Sequence, residues 1–365
     1  MKSSTQSFGT QLRSDSRRIA DALRNQILKD ELVAGTRLPT TRELTATWKA
    51  SSGTIHNALK ALAKEGLIKQ HHGSGTYVAD RKSRFRRVGI YHSFDLKANE
   101  ETHATYFRLL QSALLRQLAN LHKDVQIITD RRPYEKKGVI LPALKEANMH
   151  RHVHSIIAPL PRDIEVPVLA RLRVPTAFSH NPESPNRVDF IADNFFLEAL
   201  QHLTRQGCRS VGLITNAREG PYGSDAFFHA VRDAGMVTCH QWIRSPEQSK
   251  SELGALGYHA FCRLWKLAKR PEGLIVYPDE VVSGAITAIL NAGRPSVTRQ
   301  MKFVFHRNAY LGFLCPFPVT WAISDENILA KGLIQQIQKQ FDGEKVFPIL
   351  LPYQFRDNEP WLIEP

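Results

Sequence analysis

Between Lys64 and Val78 the chain reads KEGLIKQHHGSGTYV, and its Gly73-Ser74-Gly75 centre is of the kind that lets a backbone approach a phosphate. A nucleotide-binding loop would need G-x-x-x-x-G-K-[ST] between a strand and a helix, or G-x-G-x-x-G opening a helix. Neither pattern is present. The glycines instead separate two β-rich runs, Leu67 to His71 and Thr76 to Ala79. That spacing predicts a hairpin whose tip, with Lys69, His71 and His72 alongside, faces the phosphates or minor groove of a nucleic acid. A plain turn without a ligand is the alternative. His150, His152 and His154 would share one face of an extended strand, but in a straight line they chelate poorly and no neighbouring Cys, Asp or Glu completes a zinc set. Cys208, Cys239, Cys262 and Cys315 stand far apart without a C-x-x-C, which predicts buried thiols. There is no G-x-S-x-G elbow, and the acidic pair Glu100-Glu101 falls in an expected loop. The chain therefore reads as a non-enzyme needing no metal or cofactor.

The elements that must position the hairpin come just before it. From Arg17 to Lys29 the apolar residues Ile19, Leu23 and Ile27 recur every four positions, the spacing of one buried helix stripe. Gly35 and Pro39 break it. Thr40 or Thr41 then caps a short helix through Trp48 with Leu44 inward, and Ser52 caps a third helix that buries Ile55, Leu59 and Leu62 and stops at Gly66. This order is a helix-turn-helix. Its third helix leaves Gly53, Thr54, His56, Asn57 and Lys60 on the N-terminal half, the half that reaches base edges when such a helix enters a major groove.

Charge follows the same division. The 365 residues carry a formal charge of +14. Residues 1 to 87 hold 17 Lys and Arg against 7 Asp and Glu, whereas the remainder has 32 against 28. A basic head favours a polyanionic partner, and the body is nearly neutral. Residues 1–14 are polar and read as an unordered tail, 15–80 as the head, and 81–87 as a cationic linker. The start lacks the apolar region of a secretory signal and no run of about 18 apolar residues occurs, so a soluble cytoplasmic protein without membrane contact is expected.

From residue 88 to 365 short β-branched runs alternate with amphipathic stretches, the first strand at Val88 to Tyr91 and the first helix near Tyr106 to Leu121. Such alternation builds parallel sheets with helices on both faces. The expected fold class is α/β: a winged helix-turn-helix followed by two lobes of parallel sheet flanked by helices. Ligands of such sheets bind at the carboxyl ends of strands. The stretches CPFPVT and SHNPESPNR read as loops, and Trp321 either stacks on a ligand or packs at a hinge.

The segment from IADALRNQILKDELVAGTRLPTTREL to EGLIKQHHGSGTYVA resembles the winged helix-turn-helix of GntR-type regulators. The resemblance implies a double-stranded DNA operator as partner, with Thr40, Arg42, Ser51, Ser52, Gly53, Thr54, His56, His72 and Gly73 on the DNA side. Family members usually carry arginine where this chain has Ser52 and His56, so a borrowed operator sequence does not transfer.

VDFIADNFFLEALQHLTRQGCRSVGLIT, AFFHAVRDAGM, RPEGLIVYPDEVVSGAITAILNAG and ILLPYQFRD resemble, in order and spacing, the periplasmic-binding-protein-like effector domain of LacI/GalR-type regulators. This second resemblance implies two lobes joined by three crossovers, homodimerisation, and a small effector in the cleft lined by Tyr91, Phe94, Asp193, Asn194, Asn216, Asp279, His306 and Asn308. Such a set suits a sugar or sugar derivative. Gly223 stands where many relatives have an arginine, and Phe305-His306-Arg307 replaces a strand-end aspartate. With Arg218 and Arg307 near, an anionic ligand is an alternative. Together the resemblances imply a regulator, a repressor more than an activator, that binds a palindromic operator as a dimer. A GntR head on an enzymatic or ligand-independent dimerisation body is the rival reading.

Overall fold

The computed structural model describes residues 4–28, 31–79, 85–93, 104–149, 153–172, 174–180, 183–217, 222–245 and 253–358. The head opens with α1 (Ser4–Leu28), continues with α2 (Thr41–Trp48) and α3 (Ser52–Lys64), and closes with β1 (Ile68–His71) paired antiparallel to β2 (Gly75–Val78). Ile19, Leu23 and Ile27 of α1 pack with Leu44 of α2 and Ile55, Leu59 and Leu62 of α3, so the four-residue spacing becomes one core. Two expectations need correction. α1 begins at Ser4, so residues 4–14 are helical rather than an unordered tail; once the packed stripe has nucleated the helix, each added turn costs little. The cap of α3 is Ser51, not Ser52: Ser51 is extended and its hydroxyl accepts the Thr54 N–H at 3.1 Å, while Ser52 is already helical.

Thr40 caps α2 in a reciprocal box. Its hydroxyl accepts the Glu43 N–H at 3.3 Å, and its own N–H donates to Glu43 Oε2 at 2.7 Å. α3 ends in a Schellman turn with Gly66 at φ +70°, the Leu67 N–H reaching Leu62 O and the Gly66 N–H reaching Ala63 O, both at 3.0 Å. The segment before α2 joins the hairpin as a third edge: Leu38 N–H donates to Thr76 O and Val78 N–H to Thr36 O, each at 2.8 Å.

The body has two sheets. The first lobe is built on β3 (Arg87–Ser93), β4 (Asp124–Asp130), β5 (Ser155–Ala158), β6 (Thr176–Ser179) and β7 (Arg187–Phe190), with α4 (Ala104–Asn120), α5 (Pro142–Met149) and α6 (Val166–Ala170) between them. The second lobe follows α7 (Ala192–Arg205) with β8 (Val211–Thr215), α8 (Ser224–Asp233), β9 (Ile243–Arg244), α9 (Leu253–Trp265), β10 (Gly273–Tyr277), α10 (Asp279–Asn291), α11 (Arg294–Gln300), β11 (Lys302–Asn308) and β12 (Val319–Ser324). α12 (Glu326–Phe341) then returns to the first lobe, whose sheet β13 (Ile349–Leu351) completes; β14 (Gln354–Asn358) goes back to the second. The chain thus crosses three times.

Strand order is β13-β7-β6-β5-β3-β4 in the first sheet, all parallel, and β14-β12-β11-β10-β8-β9 in the second, parallel except β14. Parallel strands buried on both faces read as continuous apolar runs, which is how GLIVY and VGLIT appear. Trp321 lies on β12 within the second-lobe core, stacked on Phe313 with ring centroids 5.5 Å apart. Cys208 and Cys315 are buried, Cys239 and Cys262 half-buried, and all four are free thiols. Among the described residues no helix is long and apolar enough to cross a membrane.

Candidate functional site

Two surfaces carry the chemistry. On the head, α3 exposes Ser52, Gly53, His56, Asn57 and Lys60, and α2 exposes Arg42. Thr54 departs from expectation. It is 3% exposed and its hydroxyl bonds Ser51 Oγ at 2.8 Å, because residue 54 falls on the same stripe as Ala58 and Leu62 rather than on the outer face. Thr40 is exposed, with its hydroxyl committed to the capping box.

The hairpin tip is a turn over His71–Ser74, closed by the Ser74 N–H on His71 O at 3.0 Å, with Gly73 at φ +75° in the position that a type II turn reserves for glycine. Gly75, at φ +124°, takes a conformation that strains any other residue, and a Cβ there would lie 2.9 Å from Arg37 Nε, which would have to swing aside. The Arg37 guanidinium therefore lies against the wing, in a groove of about 520 Å³ lined by Gln70, His71, His72, Gly73, Ser74, Gly75 and Thr76. Sequence reading passed over Arg37 because nothing in its own neighbourhood signals the hairpin forty residues on.

Ser51 ties local structure to this surface. Its cap satisfies one of the free N–H groups at the end of α3 that carries the exposed side chains. Ser51→Ala is expected to cost about 1 kcal/mol in urea unfolding and to fray that end. Ser51→Asp, which also caps, should restore most of the stability.

The second surface lies where the crossovers converge. Asp279 opens α10, His306 and Asn308 end β11, and Ser324 ends β12. Asn308 Nδ2 donates to Asp279 Oδ2 at 2.7 Å, Ser324 Oγ to Asn308 Oδ1 at 2.8 Å, and His306 Nε2 lies 3.2 Å from Ser324 Oγ. Three expected site residues are thus brought together. Burial pushes the His306 imidazole down to about 4, so it is neutral at physiological pH, and its Nδ1 has no partner.

Aromatic rings wall this cluster. Tyr222 and Tyr277 stack at 4.3 Å with planes 9° apart, Tyr277 lies 4.7 Å from His306, and Phe195 contacts Tyr222, Tyr277 and Tyr353. The Tyr222 and Tyr353 hydroxyls are 2.6 Å apart. From the first lobe Tyr106 comes within electrostatic reach of Tyr222, Asp189 and Glu326. Burial above all holds the Tyr106, Tyr277 and Tyr353 phenols well above their ordinary range.

Other expected cleft residues fare differently. Tyr91 is 3% exposed, and its hydroxyl is fixed between Asp130 Oδ2 (2.8 Å) and Glu165 Oε1 (3.0 Å), in a network that Ser93, Lys137 and Arg132 extend. It packs with Ile128, Leu144 and Leu169 inside the first lobe, with its hydroxyl already engaged. Asn194 is exposed on α7 and Asn216 half-buried past β8, and among the described residues no hydrogen bond joins either to the cluster. Asp193 lies in α7, with its side chain outside what is described; Phe94 and Arg218 are outside the described residues altogether, as are His150 and His152. His154 is buried ahead of β5, and no group of three or more His, Cys, Asp or Glu able to hold a metal occurs among the described residues. Arg307 alternates away from His306: it lies over Trp321 at 5.5 Å and donates to Leu311 O.

Glu326 was not foreseen. It is 0% exposed, neither carboxylate oxygen has a hydrogen-bond partner, and burial, with Asp325 and Asp279 adding, pushes its carboxyl up to about 7. Because the folded value exceeds the ordinary 4.5, ionising Glu326 works against folding: its destabilisation is absent at low pH and grows as pH rises from about 4.5 to 7. Buried His306 and His92, both lowered to about 4, act in the opposite sense below about 6.5. The comparison with Glu326→Gln isolates the carboxylate. The variant's unfolding free energy should gain on the parent's by up to about 3 kcal/mol between pH 4.5 and 8.

The sequence matches the family described as bacterial regulatory proteins, gntR family, over residues 15–78. The mannosyl-D-glycerate transport/metabolism system repressor MngR of Escherichia coli is 30% identical over 123 residues, 34% of this chain and 51% of that protein. An uncharacterized HTH-type transcriptional regulator of Streptomyces coelicolor is 39% identical over 74 residues, 20% of this chain and 27% of that one. The chain spans about half or less of these curated relatives. Among solved structures, the lac repressor dimer bound to operator and the anti-inducer ONPF superposes with a TM-score of 0.58 at 17% identity, covering 74% of this chain and 91% of that one. The Escherichia coli transcriptional repressor ascG gives 0.57 at 13% identity, over 75% and 98%. Residues 15–78 are therefore a gntR-family regulatory domain, carried on a two-lobed body with the fold of LacI-type regulators.

Proposed function

We propose that the protein is a transcription regulator, a repressor in its default mode, whose head (15–80) binds double-stranded DNA through α3 and the hairpin wing while its body (88–365), joined by the basic link 81–87, binds a small effector. The observation that carries this reading is the joint exposure of His56, Asn57 and Lys60 on a capped helix beside a glycine-tipped wing that holds Arg37. Asn57 offers the amide that pairs with adenine in a major groove, and His56 offers a shorter reach than the arginine common at that position. Arg42, Lys60, Arg37 and His72 serve phosphates, which position without specifying.

The protein acts in the cytoplasm as a homodimer on a two-fold operator. An effector that closes the cleft alters how two heads are spaced, and DNA affinity changes by the difference in effector binding between the two states. The repressor names of MngR and ascG and the operator-bound dimer of a protein with the same body fold support this reading. Selection of bound duplexes from a random DNA pool tests it: an inverted repeat with a fixed half-site spacing is expected, and recovery of unrelated sequences contradicts it.

A further inference from the structure

We propose that the cleft between the lobes takes a cationic effector, a hydroxylated amine, whose ammonium group sits between Asp279 and Glu326 against the tyrosine wall. This inference rests on the reading of the body as an effector-binding unit and names the class of molecule it binds.

The first observation is a cluster of buried carboxyl groups without a basic side chain to pair them among the described residues. Asp279 and Glu326 are both buried at the start of helices that leave the cleft, and they lie within electrostatic reach of each other. Asp279 accepts a hydrogen bond from Asn308 and shares a further one with the neighbouring Glu280 carboxyl, while neither Glu326 carboxylate oxygen has a partner. Among the described residues no lysine or arginine pairs with either. Asp189 stands within reach of the same tyrosines; its Oδ1 accepts the Phe190 N–H at 2.8 Å and lies 3.5 Å from His180 Nε2. Glu280, next to Asp279, is held above the ordinary carboxylate range by burial and then by that neighbour. A buried carboxylate without a partner is costly, and a cation that enters removes the cost.

The second observation is independent of the acids. His306 is 4% exposed, its Nδ1 is unpartnered, and it faces both Asp279 and the Tyr277 ring. A neutral imidazole there adds no positive charge and offers a single hydrogen-bonding position, which suits a hydroxyl. Tyr106, whose hydroxyl is also buried, offers a second from the opposite lobe. Tyrosine faces attract an ammonium group by their quadrupole. An anion meets carboxylates on this surface, since Arg307 is turned onto Trp321. A neutral sugar can donate hydroxyls to His306 and to both carboxylates, but it brings no positive charge to balance them.

The test uses the full-length protein with D-glucosamine, spermidine, D-glucose and D-glucose 6-phosphate at pH 7.5, by thermal shift and titration calorimetry, with Glu326→Gln in parallel. The expected result is that at least one amine raises the melting temperature while glucose and its phosphate do not, and that Glu326→Gln weakens the amine at least tenfold. If glucose or glucose 6-phosphate binds and the amines do not, the cationic class is overturned while the effector cleft stands. If none of the four binds, the class is equally overturned, and the regulator reading is judged on its operator. If Glu326→Gln does not fold, the four ligands on the parent protein still decide.

Discussion

Gly284→Ala is expected to dismantle the second lobe. α9 and α10 cross with their backbones in contact, and a Cβ at Gly284 would overlap the carbonyl of Gly254 and lie 2.8 Å from Tyr258 N. Gly257 meets the same obstacle from the other helix, at the Val281 carbonyl and 3.1 Å from Ala285 N. These neighbours are backbone, which cannot rotate aside as a side chain would, so the helices must separate. Separation opens the packing of Leu256, Ala260 and Phe261 against Val281, Ala285 and Ile289. Ordinary overpacking costs about 1 to 3 kcal/mol; here about 4 kcal/mol or more is expected, because a helix pair moves rather than a rotamer. Since Asp279 opens α10, the cleft is lost with the packing. Gly138→Ala is the control: nothing lies within 4 Å of its Cβ position, and it should change stability by under about 0.5 kcal/mol. Calorimetry should show the Gly284 variant losing or sharply lowering the body transition while the control keeps it.

Glu65→Ala should damage the head to a similar degree for a different reason. Arg24 of α1 is buried, and its Nε and Nη2 donate to the two oxygens of Glu65 at 2.8 and 2.6 Å; Asp21 takes a further bond. Burial opposes the guanidinium charge, yet the Glu65 and Asp21 carboxylates outweigh it and raise its pKa. Deleting Glu65 leaves a buried cation with only Asp21, and breaking such a pair costs about 3 to 5 kcal/mol. In a unit this small that is a large part of its total stability. The pair also fixes the end of α3 to α1, so DNA affinity should fall together with stability. Arg24→Met with Glu65→Leu, which removes both charges, should recover much of the stability. Urea unfolding of the three proteins, followed by circular dichroism, reads the order parent, double variant, Glu65→Ala.

The head was legible because its determinants are local. Ile19, Leu23 and Ile27 announce one helix face, Gly66 the stop of α3, and Gly73 the turn of the wing. The N-cap was misplaced by one residue because Ser51 and Ser52 are equally able caps, and only the extended backbone of Ser51 separates them. In the body, runs such as Val211 to Thr215 and Gly273 to Tyr277 gave the parallel strands, and the strand-end rule led to Asp279, His306 and Asn308. α12 went unremarked although Leu329, Leu333, Ile334 and Ile337 carry helical spacing. The partners of Tyr91 are long-range. Its position at the end of the first strand is right for a cleft, but its hydroxyl is claimed by Asp130 and Glu165, 39 and 74 residues away. The tyrosine wall assembles from residues 106, 222, 277 and 353, and no local pattern connects them.

The central claim is that α3 and the wing bind a duplex through phosphates and base edges together. Fluorescence anisotropy with labelled duplex from the region upstream of the gene, titrated at several salt concentrations, tests it most directly. The predicted result is preference for that duplex over a scrambled one, with affinity falling by about a thousandfold or more between 50 and 200 mM salt if at least six phosphates are contacted. Equal weak binding to both duplexes, or affinity indifferent to salt, would contradict it.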